Sequence, residues 1–320
     1  MSSQLDPELV EALEAFAELT GEGLNLYDIP ATRVVHSEMF KASVSELEPI
    51  ADVTCEIRSV PGPGDVPDVP VWVYRPSDAP EMLPALLWIH GGGYVLGGAE
   101  EDDFAEKYFS VTARCVVVSV DYRLAPEHPF PAPIEDCYTA LKWLATNCDE
   151  LRVDSSRIAI GGASSGGGLA AELALLARDR GEVDIMFQML IYPMIDDRNV
   201  VPAGEGVLDT FVWTRESNRL GWMSYLGSLY GREDVPHHAA VFRATDLSGL
   251  PPVHIPIGAL DLFLNENMEY AKRLMEAGVP TELHVYPGGY HGFDGFAPNA
   301  DVSRRFGQDR DSALMRAFGR

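Results

Sequence analysis

The chain has 320 residues, 46% of them hydrophobic, enough to bury one large core as a single α/β domain with an insertion rather than two independent halves. Its 24 Lys and Arg stand against 49 Asp and Glu, and the formal charge of −25 repels nucleic acid and anionic lipid, so neither is expected as a partner. No apolar run approaches the roughly 18 residues of a membrane span, and Met1 to Thr20 holds five acidic and no basic residues, unlike a secretory leader, so a cytoplasmic location is expected.

In chain order, Leu5 to Leu19 reads as an amphipathic helix, with Asp6 as N-cap, Pro7 at the first helical position and Leu9, Leu13, Phe16 and Ala17 at helical spacing. Val53 to Val60 and Val69 to Arg75 then read as two strands joined by the turn-forming PGPGDVPDVP, a hairpin with a long loop. After Pro84 short apolar runs alternate with helical patterns: ALLWIH at 85–90, CVVVSV at 115–120, RIAIGG at 157–162, MFQMLIY at 186–192, PVHIPIG at 252–258 and TELHVY at 281–286. Runs apolar on both faces suit strands of a mostly parallel sheet flanked by helices. Ile134, Cys137, Tyr138, Leu141 and Leu144 mark one intervening helix, and Leu169 to Arg178 another. Cys55, Cys115, Cys137 and Cys148 show no paired or metal-ligand spacing and are expected to be buried thiols, with Cys137 and Cys148 on one face of a single helix.

From about 195 to 235 the alternation is interrupted by an aromatic-rich stretch with Phe211, Trp213, Trp222, Tyr225 and Tyr230, in which Thr214 can cap a helix over Arg215 to about Leu226. Inserted after a strand's C-terminal end, it is placed to cover the edge where open α/β sheets bind ligands; an ordinary surface helix pair is the alternative.

The strongest local signal is Gly162-Ala163-Ser164-Ser165-Gly166, a G-x-S-x-G between an apolar strand and a helix. That context suits a nucleophile elbow, which turns sharply so that the serine hydroxyl stands above the sheet beside backbone N–H donors. A phosphate cradle is the alternative, but the P-loop lysine is absent and G-x-G-x-x-G is not matched. His90-Gly91-Gly92-Gly93-Tyr94 closes the strand ALLWI and offers an unobstructed loop of backbone N–H groups. An acid and a base should follow the serine in that order on later loops, and Asp261 and His291 satisfy it. Asp196 and Asp197 compete for the acid role one strand earlier. Among the other histidines, His254 and His284 lie inside strands, His36, His90 and His128 precede the serine, and the adjacent His237 and His238 lack a third metal ligand at suitable spacing.

With these residues in place, the chain resembles the hormone-sensitive-lipase-like branch of the α/β-hydrolases, which includes many bacterial esterases. The resemblance spans about 70 to 296 and rests on HGGGYVLG at 90–97, YRLAPEHPFPAPIED at 122–136, the serine elbow and the Asp261–His291 pair. It departs from the usual G-D-S-A-G-G at Ala163 and Ser165, and has Phe263 where the segment after the aspartate normally carries leucine. The resemblance implies an α/β-hydrolase fold in which residues 46–320 form the catalytic domain, while residues 1–45 and the insertion at about 195–235 form a helical cap. It implies oxyanion-hole N–H groups from Gly92, Gly93 and Ser165 and homodimers through TELHVY; Tyr94 and the insertion aromatics Phe211 and Trp213 are expected to contact substrate. The expected activity is hydrolysis of short- to medium-chain acyl esters, small molecules, by a Ser164–His291–Asp261 triad with no cofactor and no metal. Hydrolysis of amides, lactones or carbamates, or ligand binding without catalysis as in the related plant gibberellin receptor, remain alternatives.

Overall fold

The structure is a computed structural model that describes residues 4–21, 23–45, 47–199 and 212–320. Its elements run α1 (Val10–Thr20), α2 (Ile29–Ser45), β1 (Val53–Val60), β2 (Val69–Pro76), β3 (Leu83–Ile89), α3 (Asp103–Thr112), β4 (Val116–Val120), α4 (Ala132–Thr146), the short α5 (Cys148–Leu151), β5 (Val153–Ala163), α6 (Ser165–Arg180), β6 (Phe187–Ile191), α7 (Arg215–Leu226), β7 (Val253–Gly258), α8 (Leu264–Glu276), β8 (Thr281–Tyr286), α9 (Phe293–Phe296) and α10 (Asp301–Ala317). The strands form one sheet in the order β1-β2-β4-β3-β5-β6-β7-β8. The hairpin partners β1 and β2 are antiparallel, as is β2 to β4, and every later pairing is parallel.

This topology follows from the apolar runs. β3, β4, β6 and β7 are buried along their whole length, which only a sheet covered on both faces permits. The chain steps from β3 to β4 in one direction along the sheet and from β4 to β5 in the other, so right-handed crossovers put α3 and α4 on opposite faces. On one face α3 meets α10, where Tyr108 donates to Asp311 (2.6 Å) and Arg310 lies over the Phe109 ring (4.8 Å). On the other, α6 packs beside α4, buried from Ser165 to Ala177. All parallel strands end at one edge, the place where such sheets bind ligands.

Three expectations need correction in detail. The first helix opens as a 3-10 turn over Pro7–Leu9, with Asp6 accepting from Glu8 N (3.0 Å), before α1 proper. Cys137 and Cys148 do not share a helix, because α4 ends at Thr146 and Cys148 begins α5. Cys55 is exposed while the other three cysteines are buried, since β1 is an end strand covered mainly from one side.

Candidate active site

Ser164 stands between β5 and α6 with no intervening loop. Its φ of 57° and ψ of −121° are unusual for a residue with a side chain, a strain of about 1–3 kcal/mol that surrounding bonds must hold. They do so from both sides of the peptide: Ser164 N donates to Ile191 O (2.9 Å), and its carbonyl accepts from Gly168 N and Met194 N (both 3.0 Å). The flanking glycines are demanded by close approach. A Cβ on Gly162 would lie 2.4 Å from Gly166 O, and one on Gly166 would lie 2.1 Å from Ile89 O.

The loops after β7 and β8 complete a hydrogen-bonded line. Ser164 Oγ donates to His291 Nε2 (2.9 Å), and His291 Nδ1 donates to Asp261 Oδ2 (2.8 Å). The second oxygen of Asp261 accepts from Phe263 N (2.9 Å), and all three side chains are buried. The imidazole is fixed edge-on by two rings, Tyr192 (4.9 Å between centroids) and Phe263 (5.0 Å). Behind it, Tyr192 donates to Asp294 Oδ1 (3.1 Å), a carboxyl that burial holds above the usual carboxylate range. Such a line can remove the proton from a hydroxyl as it attacks a carbonyl, and return it to a leaving group. The competing acids are committed elsewhere: Asp196 accepts from Arg198 Nε (2.7 Å), and the buried Asp197 is held by Arg243 (2.7 and 2.8 Å).

The glycine loop runs alongside the serine. A Cβ built on Gly91 would lie 3.5 Å from Ser164 Cβ. His90 braces this loop, its Nδ1 donating to Gly91 O (2.8 Å) and its ring stacked on Tyr122 (4.2 Å). Gly93 has φ 61°, and the ring of Trp213 lies so close that a Cβ there would be 2.0 Å from Trp213 Cη2. Ser165 follows the elbow at the start of α6, and its hydroxyl is buried.

The aromatics assigned from sequence separate into different places. Trp213 stands over Gly93, with its indole N–H on Asn218 Oδ1 (3.2 Å). Tyr94 is fully buried, donating to Met194 O (3.1 Å) and stacking on Tyr225 (4.0 Å). Tyr225 in turn donates to Glu172 Oε2 (2.9 Å), and Trp222 is equally buried, so these three rings pack the base of the insertion. Phe211 lies outside the described residues. Thr214 caps α7 as expected, accepting from Ser217 N (3.0 Å).

Some residues had no sequence signal. Glu266 on α8 accepts from Ile195 N (2.9 Å) and Asn199 Nδ2 (2.7 Å), anchoring the start of the insertion, and burial pushes its carboxyl up despite these donors. Arg33 on α2 donates to Val95 O (2.7 Å) and Ala125 O (2.9 Å), tying the N-terminal helices to the loop that follows the glycines. Tyr192 could have been suspected, since it directly follows the strand that pairs with the elbow.

Comparison with known proteins agrees with this geometry. A family profile described as alpha/beta hydrolase fold matches residues 86–295. The chain is 36% identical over 285 residues to Carboxylesterase NlhH of Mycobacterium tuberculosis, covering 86% of this chain and 87% of that protein. It is 37% identical over 251 residues to Esterase LipI of the same organism, covering 76% and 77%. Among solved structures, Bacterial Heroin Esterase superposes with a TM-score of 0.92 at 39% identity, covering 98% of each chain. The chain therefore belongs to the α/β-hydrolase-fold family, in its hormone-sensitive-lipase-like branch.

Proposed function

We propose that the chain hydrolyses carboxylic esters through an acyl-enzyme formed on Ser164. The observation that carries this reading is the continuous line from Ser164 Oγ to His291 to Asp261, at 2.9 and 2.8 Å, at the C-terminal edge of the sheet. His291 takes the Ser164 proton as the oxygen attacks the ester carbonyl, while Asp261 holds the imidazole in the tautomer that presents Nε2 and stabilises its charged form. The tetrahedral oxyanion is received by the N–H groups of Gly92, Gly93 and Ser165. His291 protonates the departing alcohol, and water repeats the sequence on the acyl-enzyme to release the acid and restore the serine. No step calls for a cofactor or metal. An organophosphonate should add its mass to Ser164, and an adduct on Ser165 instead would move the nucleophile.

The helices before β1 and the segment at about 195–235 form the cap over this edge. Supporting it, Tyr27 donates to Glu216 on α7, and Arg33 bonds into the loop beyond the glycines. Of the three aromatics expected to face substrate, Tyr94, Phe211 and Trp213, it is Trp213 that has support, because its ring closes the space above Gly93. A closed wall gains about 0.8 kcal/mol per buried methylene only until the acyl chain meets it. Specificity should peak among short to medium acyl chains. Measuring kcat/KM for nitrophenyl esters from acetate to palmitate tests this, and a steady rise to the longest chain would overturn it. The same assay with matched amides and lactones ranks the alternative substrates. We place the protein in the cytoplasm, supported by four free cysteines, and as a homodimer through β8, the last strand of the sheet. A solution mass of one 35.0 kDa chain would overturn the dimer.

A further inference from the structure

Far from the serine, strands β7 and β8 bring together three metal-binding side chains. In the parallel register His254 faces Glu282, and His284 is two residues further along β8, so all three side chains fall on one face of the sheet. This register pair is the second of the six, near the N-terminal ends of the strands, whereas His291 follows their C-terminal ends. One ligand-capable atom from each residue lies within 4.8 Å of the other two. His284 Nε2 is 2.9 Å and His254 Nδ1 3.9 Å from the same Glu282 Oε1. A tetrahedral zinc ion with bonds of about 2.0–2.2 Å spaces its ligand atoms about 3.3–3.6 Å apart, in the middle of this range.

We propose that His254, Glu282 and His284 form a binding site for a divalent transition-metal ion of the zinc class, independent of the hydrolytic centre. One observation beyond the cluster points to a ligand. His254 is fully buried, yet neither of its ring nitrogens has a hydrogen-bond partner among the described residues, an expensive arrangement that a metal on Nδ1 would relieve at that nitrogen. The surrounding shell is of the kind that orients metal ligands. Asp309 Oδ2 lies 3.3 Å from His284 Nδ1, the nitrogen turned away from Glu282, and the Tyr286 hydroxyl holds that carboxylate at 2.8 Å. Arg316 bonds to Glu282 Oε2 at 2.6 Å, leaving Oε1 for the ion. Two imidazoles and one carboxylate suit zinc better than calcium or magnesium, and the fourth position is left for water. Since Asp309 and Arg316 lie on α10, the ion would clamp the end strand to its neighbour and to the last helix.

The test uses chelator-treated protein titrated with zinc chloride, read by calorimetry, by metal content after dialysis and by the midpoint of thermal unfolding. The expected result is one zinc per chain and a raised midpoint. His284→Ala, at a half-exposed position, should lose both, while its circular dichroism and ester turnover show that it folds. Asp309→Asn keeps all three ligands and should weaken zinc by about 10- to 100-fold. His238→Ala is the control for the exposed Asp179, His237 and His238 cluster and should bind zinc as the parent does. Absence of zinc binding by the parent, retention by His284→Ala, or loss in His238→Ala would each overturn the proposal.

Discussion

Strands β7 and β8 carry histidine and carboxylate side chains together near both ends, and the two arrangements are built differently. At the C-terminal end, Asp261 and His291 sit on loops, and each polar atom of the imidazole has a short, directed partner. Towards the N-terminal end, His254, Glu282 and His284 sit on the strands themselves, fixed by register, and the buried imidazole has no hydrogen-bond partner among the described residues. Loops can be shaped until a proton path is straight. A strand ladder sets side chains at fixed spacing and leaves the remaining valence to something else. The comparison separates a site complete in its own hydrogen bonds from one that asks for a ligand.

The largest expected effect breaks the complete end. Ser164→Ala or His291→Ala should lower kcat/KM by a factor on the order of 10^4 to 10^6, with unchanged circular dichroism. A variant that keeps most of its turnover on a nitrophenyl ester removes the mechanism. Asp261→Asn keeps the shape but favours the wrong imidazole tautomer, and should cost on the order of 10^3 to 10^4 in kcat. Asp196→Asn, paired with the exposed Arg198 and outside the Ser164–His291–Asp261 line, should cost less than about threefold in kcat. If kinetics ranked these two the other way, the acid would be misassigned.

Gly93→Ala tests the loop by sterics alone. The new Cβ would need to displace Trp213, and a misplacement of about 1 Å beside the reacting centre costs about 100-fold in kcat. Adding Trp213→Ala should restore part of that loss, the remainder being the left-handed backbone at φ 61°. Full activity in the single variant would mean that the wall above Gly93 yields without consequence.

The smallest effect sharpens the contrast between partnered and orphaned buried groups. Glu172 offers Oε2 to Tyr225, while Oε1 has no hydrogen-bond partner among the described residues, and burial holds its carboxyl well above the ordinary carboxylate range. A raised folded-state value means that the native protein keeps a proton the unfolded chain releases, so this group's stabilisation is lost as pH rises above about 4.5. Glu172→Gln mimics the protonated acid without that penalty. Its unfolding free energy should therefore gain on the parent between pH 5 and 8, by at most about 1.4 kcal/mol per pH unit. A difference that stays constant with pH would show that Glu172 is ionised in the fold.

The strands were legible because a sheet covered on both faces demands uninterrupted apolar runs, and the runs from ALLWIH to TELHVY became β3 to β8. The serine, the acid and the base were legible for a related reason. G-x-S-x-G between a strand and a helix reflects a backbone crossing that only glycine permits at 162 and 166, and the order Ser164, Asp261, His291 follows from strand order. The cap aromatics were less legible. Composition marked Trp213, Trp222 and Tyr225 alike, but Trp213 faces the glycine loop while the other two are sealed beneath the insertion, and helical spacing alone does not tell which side meets a pocket.

Tertiary structure alone decided the contacts that join distant segments. His237 and His238 lacked a third partner in sequence, and Asp179 arrives beside them from the end of α6. Glu266 reaches the start of the insertion, and Arg33 reaches Val95, across gaps that no local pattern encodes. The grouping of His254 with His284 required the parallel pairing of β7 with β8. A sequence shows that each histidine lies in a strand, but only the hydrogen-bond ladder fixes which residue of the neighbouring strand stands opposite, and a one-residue slip would have turned the two side chains to opposite faces.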